Sequence, residues 1–138
     1  MRFHFLLAGS ILTTVLYAAQ EEQEKPEETM RSVQSGVYTG EQADRGATIF
    51  EGECSRCHKP EDYGNGYLEG WSGQTAYDLI EHIRATMPQD SPGSLKRMEY
   101  VDVSAFIFRM NGLPAGDSEM DVSSVKQIRI EGPYTPQQ

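Results

Sequence analysis

The sequence has few basic residues, few cysteines and few long apolar segments. Its 138 residues contain 12 Lys and Arg against 21 Asp and Glu, which gives a formal net charge of -9. This balance excludes a basic nucleic-acid-binding protein, because such proteins contact phosphates through many Lys and Arg side chains. Two cysteines are too few for a disulfide-rich scaffold. The apolar content also excludes a multi-pass membrane protein, which needs several spans of about 20 apolar residues.

Large aliphatic side chains are scarce outside the amino terminus. Eight of the 27 Leu, Ile, Val and Phe residues lie in the first 19 residues, which leaves 19 in the following 119. A low aliphatic content with high net charge is typical of a disordered chain. These 119 residues nevertheless contain most of the aromatic side chains and show helical periodicity. Either the chain is largely disordered, or a group that is not an amino acid supplies part of its core.

Residues 1–19 have the features of a secretory signal peptide. Arg2 gives a short basic start, an apolar stretch covers residues 3–16, and Ala18 and Ala19 precede a polar run. The alternative is an uncleaved membrane anchor, but the apolar stretch is short for a full span. We therefore expect cleavage, and no stable membrane insertion unless the segment is retained.

The segments on either side of the middle of the chain differ from it in composition. Residues 20–37 are predicted to be an acidic flexible linker, because the stretch 20–35 holds five Glu and no aromatic residue. Residues 118–138 form a carboxy-terminal extension with a modest apolar rhythm, which we expect to wrap over the domain without carrying chemistry. Residues 38–117 remain as the folded domain.

Three helices are predicted in this domain, over residues 40–53, 75–86 and 94–110. Ala43, Ala47, Phe50 and Cys54 share one face of the first helix, at spacings of four, three and four. Gly46 lies on the same side, which indicates close approach by another element. The second helix begins with a capping pattern at Thr75 and Asp78, and Pro88 ends it. The turn at 92–93 precedes the third.

Cys54-Ser55-Arg56-Cys57-His58 is the most specific motif in the chain. A C-x-x-C pair alone could be a redox dithiol, half of a zinc site or a disulfide, but a His directly after it is typical of c-type haem attachment. Two thiols three positions apart can reach the two vinyl groups of one porphyrin, and the next imidazole can then bind the iron. A zinc site would need further ligands, and the chain has no other cysteine. A disulfide would leave His58 unexplained. The motif therefore predicts one covalently attached haem c.

The iron ligand opposite His58 is predicted to be Met87. This residue follows a helix end and precedes a Pro, in a loop that can bend toward the ring. Met98 and Met110 lie within the third helix, where Met is usually a core filler, and His82 is expected at the surface. Ligation by His and Met saturates the iron and raises its reduction potential relative to two His ligands.

Aromatic residues are frequent in the Gly-rich loop 59–73. Tyr63, Tyr67 and Trp71 could pack on haem edges or bind propionates through their OH and NH groups. Trp71 is the one that we include among the predicted haem-binding residues.

Over residues 38–117 the chain resembles a class I cytochrome c. More narrowly, it is similar to the small periplasmic cytochromes c that accompany quinoprotein alcohol and sugar dehydrogenases. Besides the haem motif, six segments carry this resemblance: 46–50, 68–70, 86–88, 92–95, 99–103 and 111–116. The resemblance implies an all-α cytochrome c fold, with three to four short helices and loops wrapped around one haem.

The resemblance also implies roles for particular residues. Cys54 and Cys57 would form the thioethers, and His58 and Met87 would be the axial ligands. The first and third helices would cross, with Gly46 admitting an aromatic side chain of the third helix, for which Phe106 is our choice.

The function implied is that of a periplasmic one-electron carrier rather than an enzyme. Its donor would be a dehydrogenase, such as a quinoprotein, and its acceptor a terminal oxidase or another cytochrome. The alternatives are a fixed electron-transfer subunit of a dehydrogenase complex, and a haem enzyme or gas sensor with an open sixth iron position.

Overall fold

The structure, a computed structural model, describes residues 29–64 and 66–134. Its α helices are α1 (Gly40–Ile49), α2 (Ala76–Thr86) and α3 (Arg97–Met110), and its strands are β1 (Arg31–Ser32) and β2 (Ile128–Arg129). Short 3-10 turns cover Val33–Ser35, Pro60–Tyr63, Tyr67–Trp71 and Ser124–Gln127. Three helices with little strand confirm the prediction of an all-α fold of the small cytochrome c type. The predicted signal peptide, 1–19, lies outside the described residues.

Helix α3 is the centre of the fold. All nine residues from Tyr100 to Phe108 are buried, so this stretch of the helix presents no solvent-exposed face. Helix α1 crosses it at Gly46, where a Cβ atom would overlap the carbonyl oxygen of Asp102 and lie 3.0 Å from the Cβ of Phe106. The structure therefore confirms both the close approach at Gly46 and the part played by Phe106.

Local sequence signals explain the helix ends. Thr75 caps α2 as predicted, because its hydroxyl accepts from the Asp78 N–H at 3.2 Å and its N–H donates to the Asp78 carboxylate at 2.8 Å. Helix α3 begins at Arg97, three residues later than predicted. The delay follows from the turn at Gly93, whose φ of 79° lies in the left-handed region, and from a bond of 2.7 Å between the Lys96 N–H and the Glu99 carboxylate.

The segment before α1 differs from the prediction of a flexible linker over 20–37. Within its described part, Val33 and Val37 are fully buried in the core. Strand β1 pairs in parallel with β2, so that Arg31 lies beside Ile128. The Gln34 side-chain amide also donates to the carbonyls of Glu131 and Pro133, at 3.1 and 2.7 Å. Residues 31–37 are held by the other end of the chain, which the composition of a local window cannot reveal.

The carboxy-terminal extension packs over the domain as expected. Val125, Ile128 and Ile130 are buried, whereas Val122 is exposed. The extension also continues the hydrogen bonding of the loop before α2, because the Ile130 N–H donates to Gln74 and the Gly73 N–H donates to Ile130, both at 2.8 Å.

A polar cluster joins α1, α3 and the extension. Asp102, which is 7% exposed, accepts from the Gln42 amide at 3.1 Å and from the Arg45 guanidinium at 3.1 and 3.2 Å. Gln42 is fully buried and forms two bonds of 2.9 Å with the backbone of Met120. Arg45 also pairs with Glu119 and holds the pKa of that carboxyl below its usual value. Each polar group buried at the crossing thus has a partner.

Candidate haem site

A cleft of about 520 Å³ lies between the end of α1, the loop after α2 and one side of α3. Four of the predicted haem-binding side chains line it together: Cys54, Cys57, His58 and Met87. Its apolar wall is formed by Phe50, Ile83, Pro88, Val103 and Ile107. An apolar cleft with a few convergent polar groups is the usual form of a cofactor site. Side chains from three helices, or from the turns that follow them, therefore line the same cleft.

The motif lies on an irregular continuation of α1. After Ile49 the chain forms a π-helical turn over Phe50–Cys54, in which the Ser55 N–H donates to the Phe50 carbonyl at 2.9 Å. The Cys57 and His58 N–H groups then both donate to the Cys54 carbonyl, at 3.1 and 3.0 Å. The predicted helix 40–53 thus ends as a wider turn, which is common at functional sites. These turns hold the three motif side chains on the same side of the chain.

The two cysteines differ in their surroundings. They form no disulfide with each other, and Cys54 is half-buried whereas Cys57 is exposed. Burial, with a smaller contribution from the charge of Glu53, raises the pKa of the Cys54 thiol. Before haem attachment, the Cys54 thiol is therefore protonated at neutral pH.

Met87 ends α2 and faces the cleft. Its N–H donates to the Ile83 carbonyl at 2.7 Å, and its carbonyl accepts from the Tyr100 hydroxyl at 2.9 Å. The other methionines in the described part of the chain do not line the cleft. Met30 and Met98 are each more than a third exposed. The exposure of Met98 contradicts the prediction that it fills the core, because the side chain faces outward from the first turn of α3.

Aromatic rings continue the cleft wall from His58. The ring of Tyr63 lies 5.4 Å from that of His58 and 4.9 Å from that of Tyr67, in edge-to-face contacts. Both tyrosines line the cleft. Burial raises the pKa of Tyr63 to about 12. Burial also raises the pKa of Tyr67, and a hydrogen bond with Trp71 partly opposes this. The tyrosine hydroxyls therefore stay protonated at neutral pH.

Trp71 is half-buried and is not among the residues that line the cleft. Its ring lies 5.3 Å from that of His82, which is exposed as predicted and does line the cleft. Trp71 is thus one contact removed from the space, and its contact with a haem stays a prediction.

Charged side chains surround the opening of the cleft. Arg56, within the motif, lies 3.6 Å from Asp90 in the loop after Met87, and Glu53 is also part of the lining. The two side chains of this pair are 66% and 68% exposed, so the pair contributes little to stability.

Part of the cleft was not predicted from the sequence. Val103 and Ile107 are four residues apart on α3, a spacing that places them on one face of the helix. Because nine consecutive residues of α3 are buried, no single apolar face of this helix distinguishes Val103 and Ile107 from their neighbours. The apolar walls, the paired thiols, the imidazole and the thioether together fit a covalently bound porphyrin. Within residues 29–64 and 66–134, no group of three or more His, Cys, Asp or Glu could hold a metal ion by itself.

Comparison with known proteins supports this assignment. The model of a family described as cytochrome c oxidase, cbb3-type, subunit III matches residues 41–107, which include nearly all of α1, the motif, α2 and most of α3. No curated protein and no solved structure gives a significant match. None of the described helices has the length and hydrophobicity of a membrane span. Residues 41–107 are thus similar to a c-type cytochrome domain, and this match supports covalently attached haem c as the cofactor and electron transfer as the role.

Proposed function

We propose that the protein is a monohaem electron carrier in which Cys54 and Cys57 attach the haem and His58 and Met87 bind its iron. The observation that carries this proposal is the convergence of these four side chains on one apolar cleft. Each thiol would add across a vinyl group, forming an S–C bond while its proton goes to the neighbouring carbon. When bound, the haem supplies a one-electron couple.

The roles of the other residues follow from what they contact. Phe50, Val103 and Ile107 exclude water from the cleft, and an apolar, dry surrounding favours the less charged state of a redox centre. With His58 and Met87 both holding the iron, the site would transfer electrons and would not bind substrate. Trp71 would support the haem edge through its contact with His82, or donate to a propionate through its indole N–H.

The cellular setting belongs to the same proposal. Residues 1–19 would direct export to the periplasm, where covalent haem attachment takes place. A dehydrogenase, such as a quinoprotein, would donate the electron, and a terminal oxidase or another cytochrome would accept it. The net charge of -9 favours a partner with a basic docking patch. The rate of electron transfer should then fall as ionic strength rises, and a rate independent of salt would contradict this docking mode.

The axial ligand can be tested by absorption spectroscopy of the holoprotein. Ferric haem with a Met ligand has a weak far-red absorption band, which we expect to disappear in Met87→Ala. The band should remain in Met98→Ala, because Met98 is exposed and away from the cleft. Rapid CO binding to the unaltered reduced protein would contradict the proposal and favour a haem enzyme or gas sensor with an open sixth position.

A second candidate function is that of a fixed electron-transfer subunit in a larger complex. The match to a family described as a subunit of an oxidase favours it. Purification from the native source separates the two candidates. A constant ratio to one oxidoreductase at high salt indicates a fixed subunit, whereas recovery of the free protein indicates a shuttle.

A further inference from the structure

The loop between α2 and α3 is tied at both ends to one side chain. The Tyr100 hydroxyl donates to the Met87 carbonyl at 2.9 Å and accepts from the Leu95 N–H at 3.4 Å. Met87 begins this loop and Leu95 lies near its end. A single hydroxyl on α3 is thus hydrogen-bonded to both ends of the loop.

Tyr100 is well placed to restrain the loop. Its side chain is 1% exposed and belongs to the buried run of α3, the most enclosed helix of the fold. The loop's other contact to the Met87 carbonyl is longer, because the Gly93 N–H lies 3.4 Å away. The ion pair of Asp90 with Arg56 is exposed and weak. The Tyr100 hydroxyl is therefore the strongest tie between the Met87 carbonyl and the rigid part of the molecule.

We infer that Tyr100 is a positioning residue for Met87, and that it sets how often the Met87 sulfur leaves the iron. This inference rests on the proposed role of Met87 as a ligand. When the end of the loop at Met87 moves away from α3 and takes the sulfur with it, the bond from Tyr100 breaks. Phe at position 100 keeps the buried ring but offers no donor, so the open form of the loop becomes more populated.

CO binding measures this opening, because CO reaches reduced iron only after the Met sulfur has left. In Tyr100→Phe we expect CO to bind about 3- to 10-fold faster than in the unaltered protein, which is the population change that one ordinary hydrogen bond supports. The far-red band should remain at room temperature and disappear at a lower temperature than in the unaltered protein.

Tyr38→Phe is the matched control. Tyr38 is equally buried, and its hydroxyl donates to the Leu113 carbonyl at 2.6 Å, away from the loop. Both variants lose one bond from a buried tyrosine side chain to a backbone carbonyl, so a general loss of stability would lower both urea midpoints. Only Tyr100→Phe should bind CO faster.

The outcomes separate this inference from the proposal on which it depends. If Met87→Ala abolishes the far-red band but Tyr100→Phe binds CO no faster than Tyr38→Phe, the positioning role is wrong and Met87 is still the ligand. If Met87→Ala keeps the band, the assignment of Met87 is wrong, and with it the role of Tyr100.

Discussion

Helix α3 takes part in two places, its crossing with α1 and the candidate haem cleft, and these differ in what fills them. At the crossing, Gly46 lies against the Asp102 backbone so closely that not even a methyl group fits. Along the same helix, Val103 and Ile107 face a cleft of about 520 Å³. The chain therefore packs one side of α3 with its own atoms, whereas the other side would hold the proposed haem.

This comparison explains the scarcity of large aliphatic residues. A haem bound in the cleft would supply apolar mass to that side of the core, which is what the composition predicts. The two flanking segments also contribute, because Val33, Val37, Val125, Ile128 and Ile130 are buried. They are part of the core rather than additions that merely dilute the composition.

The largest effect is expected at the crossing. Gly46→Ala should lower the free energy of unfolding by about 3 kcal/mol, because the new Cβ meets backbone atoms of Asp102 that cannot move independently of α3. Urea denaturation of the holoprotein measures the change. Gly52→Ala is the control, since nothing lies within 4 Å of a Cβ there. It should be neutral or raise stability by up to about 1 kcal/mol. Equal losses in both variants would show that the crossing is not closely packed.

An intermediate effect is expected at the polar cluster beside the crossing. Asp102→Ala should cost about 1–3 kcal/mol, because Gln42 loses a bond in a buried position and Arg45 loses one of its two carboxylate partners. Asp90→Ala removes an exposed pair at the cleft opening and should cost less than about 0.5 kcal/mol. Thermal denaturation of the two variants tests the difference, and a larger loss in Asp90→Ala would reverse the comparison.

The smallest effect is expected in the carboxy-terminal extension. Hydrogen bonds from the Ser123 hydroxyl and from the Ser124 and Ser123 N–H groups lower the pKa of Asp121 from 3.8 to about 2. Because the folded state has the lower pKa, the stabilisation is present above pH 3.8 and is lost as the pH falls toward about 2. Solvent screening limits it to less than about 1 kcal/mol. The difference between the unaltered protein and Asp121→Asn should therefore shrink between about pH 5 and about pH 2.5, and a constant difference would exclude this cause.

Most of the helical fold could be predicted from local sequence. The capping pair of Thr75 and Asp78 fixed the start of α2, and the position of Gly46 on the apolar face indicated the crossing. The pairing of β1 with β2 could not be predicted, because two-residue strands carry no periodicity and their partners are almost a hundred residues apart.

The site was predictable where chemistry depends on spacing within a short segment. The C-x-x-C-H motif and the Met-Pro pair identified four side chains that line one cleft. The hydroxyl of Tyr100 was not identified, because its bond to Met87 spans 13 residues and depends on how α3 packs against the loop. The position of Trp71 beside His82 likewise depends on tertiary packing.

Without haem, the chain is expected to lack the apolar contacts that it needs to fold. The most direct test is the fold of the full-length variant Cys54→Ala/Cys57→Ala, which cannot attach the cofactor. Far-ultraviolet circular dichroism and the fluorescence of Trp71 during urea titration would measure its structure. We expect weak helical signal and no cooperative transition, with residues 40–116 largely unfolded. A helical haem-free protein that unfolds cooperatively would contradict it.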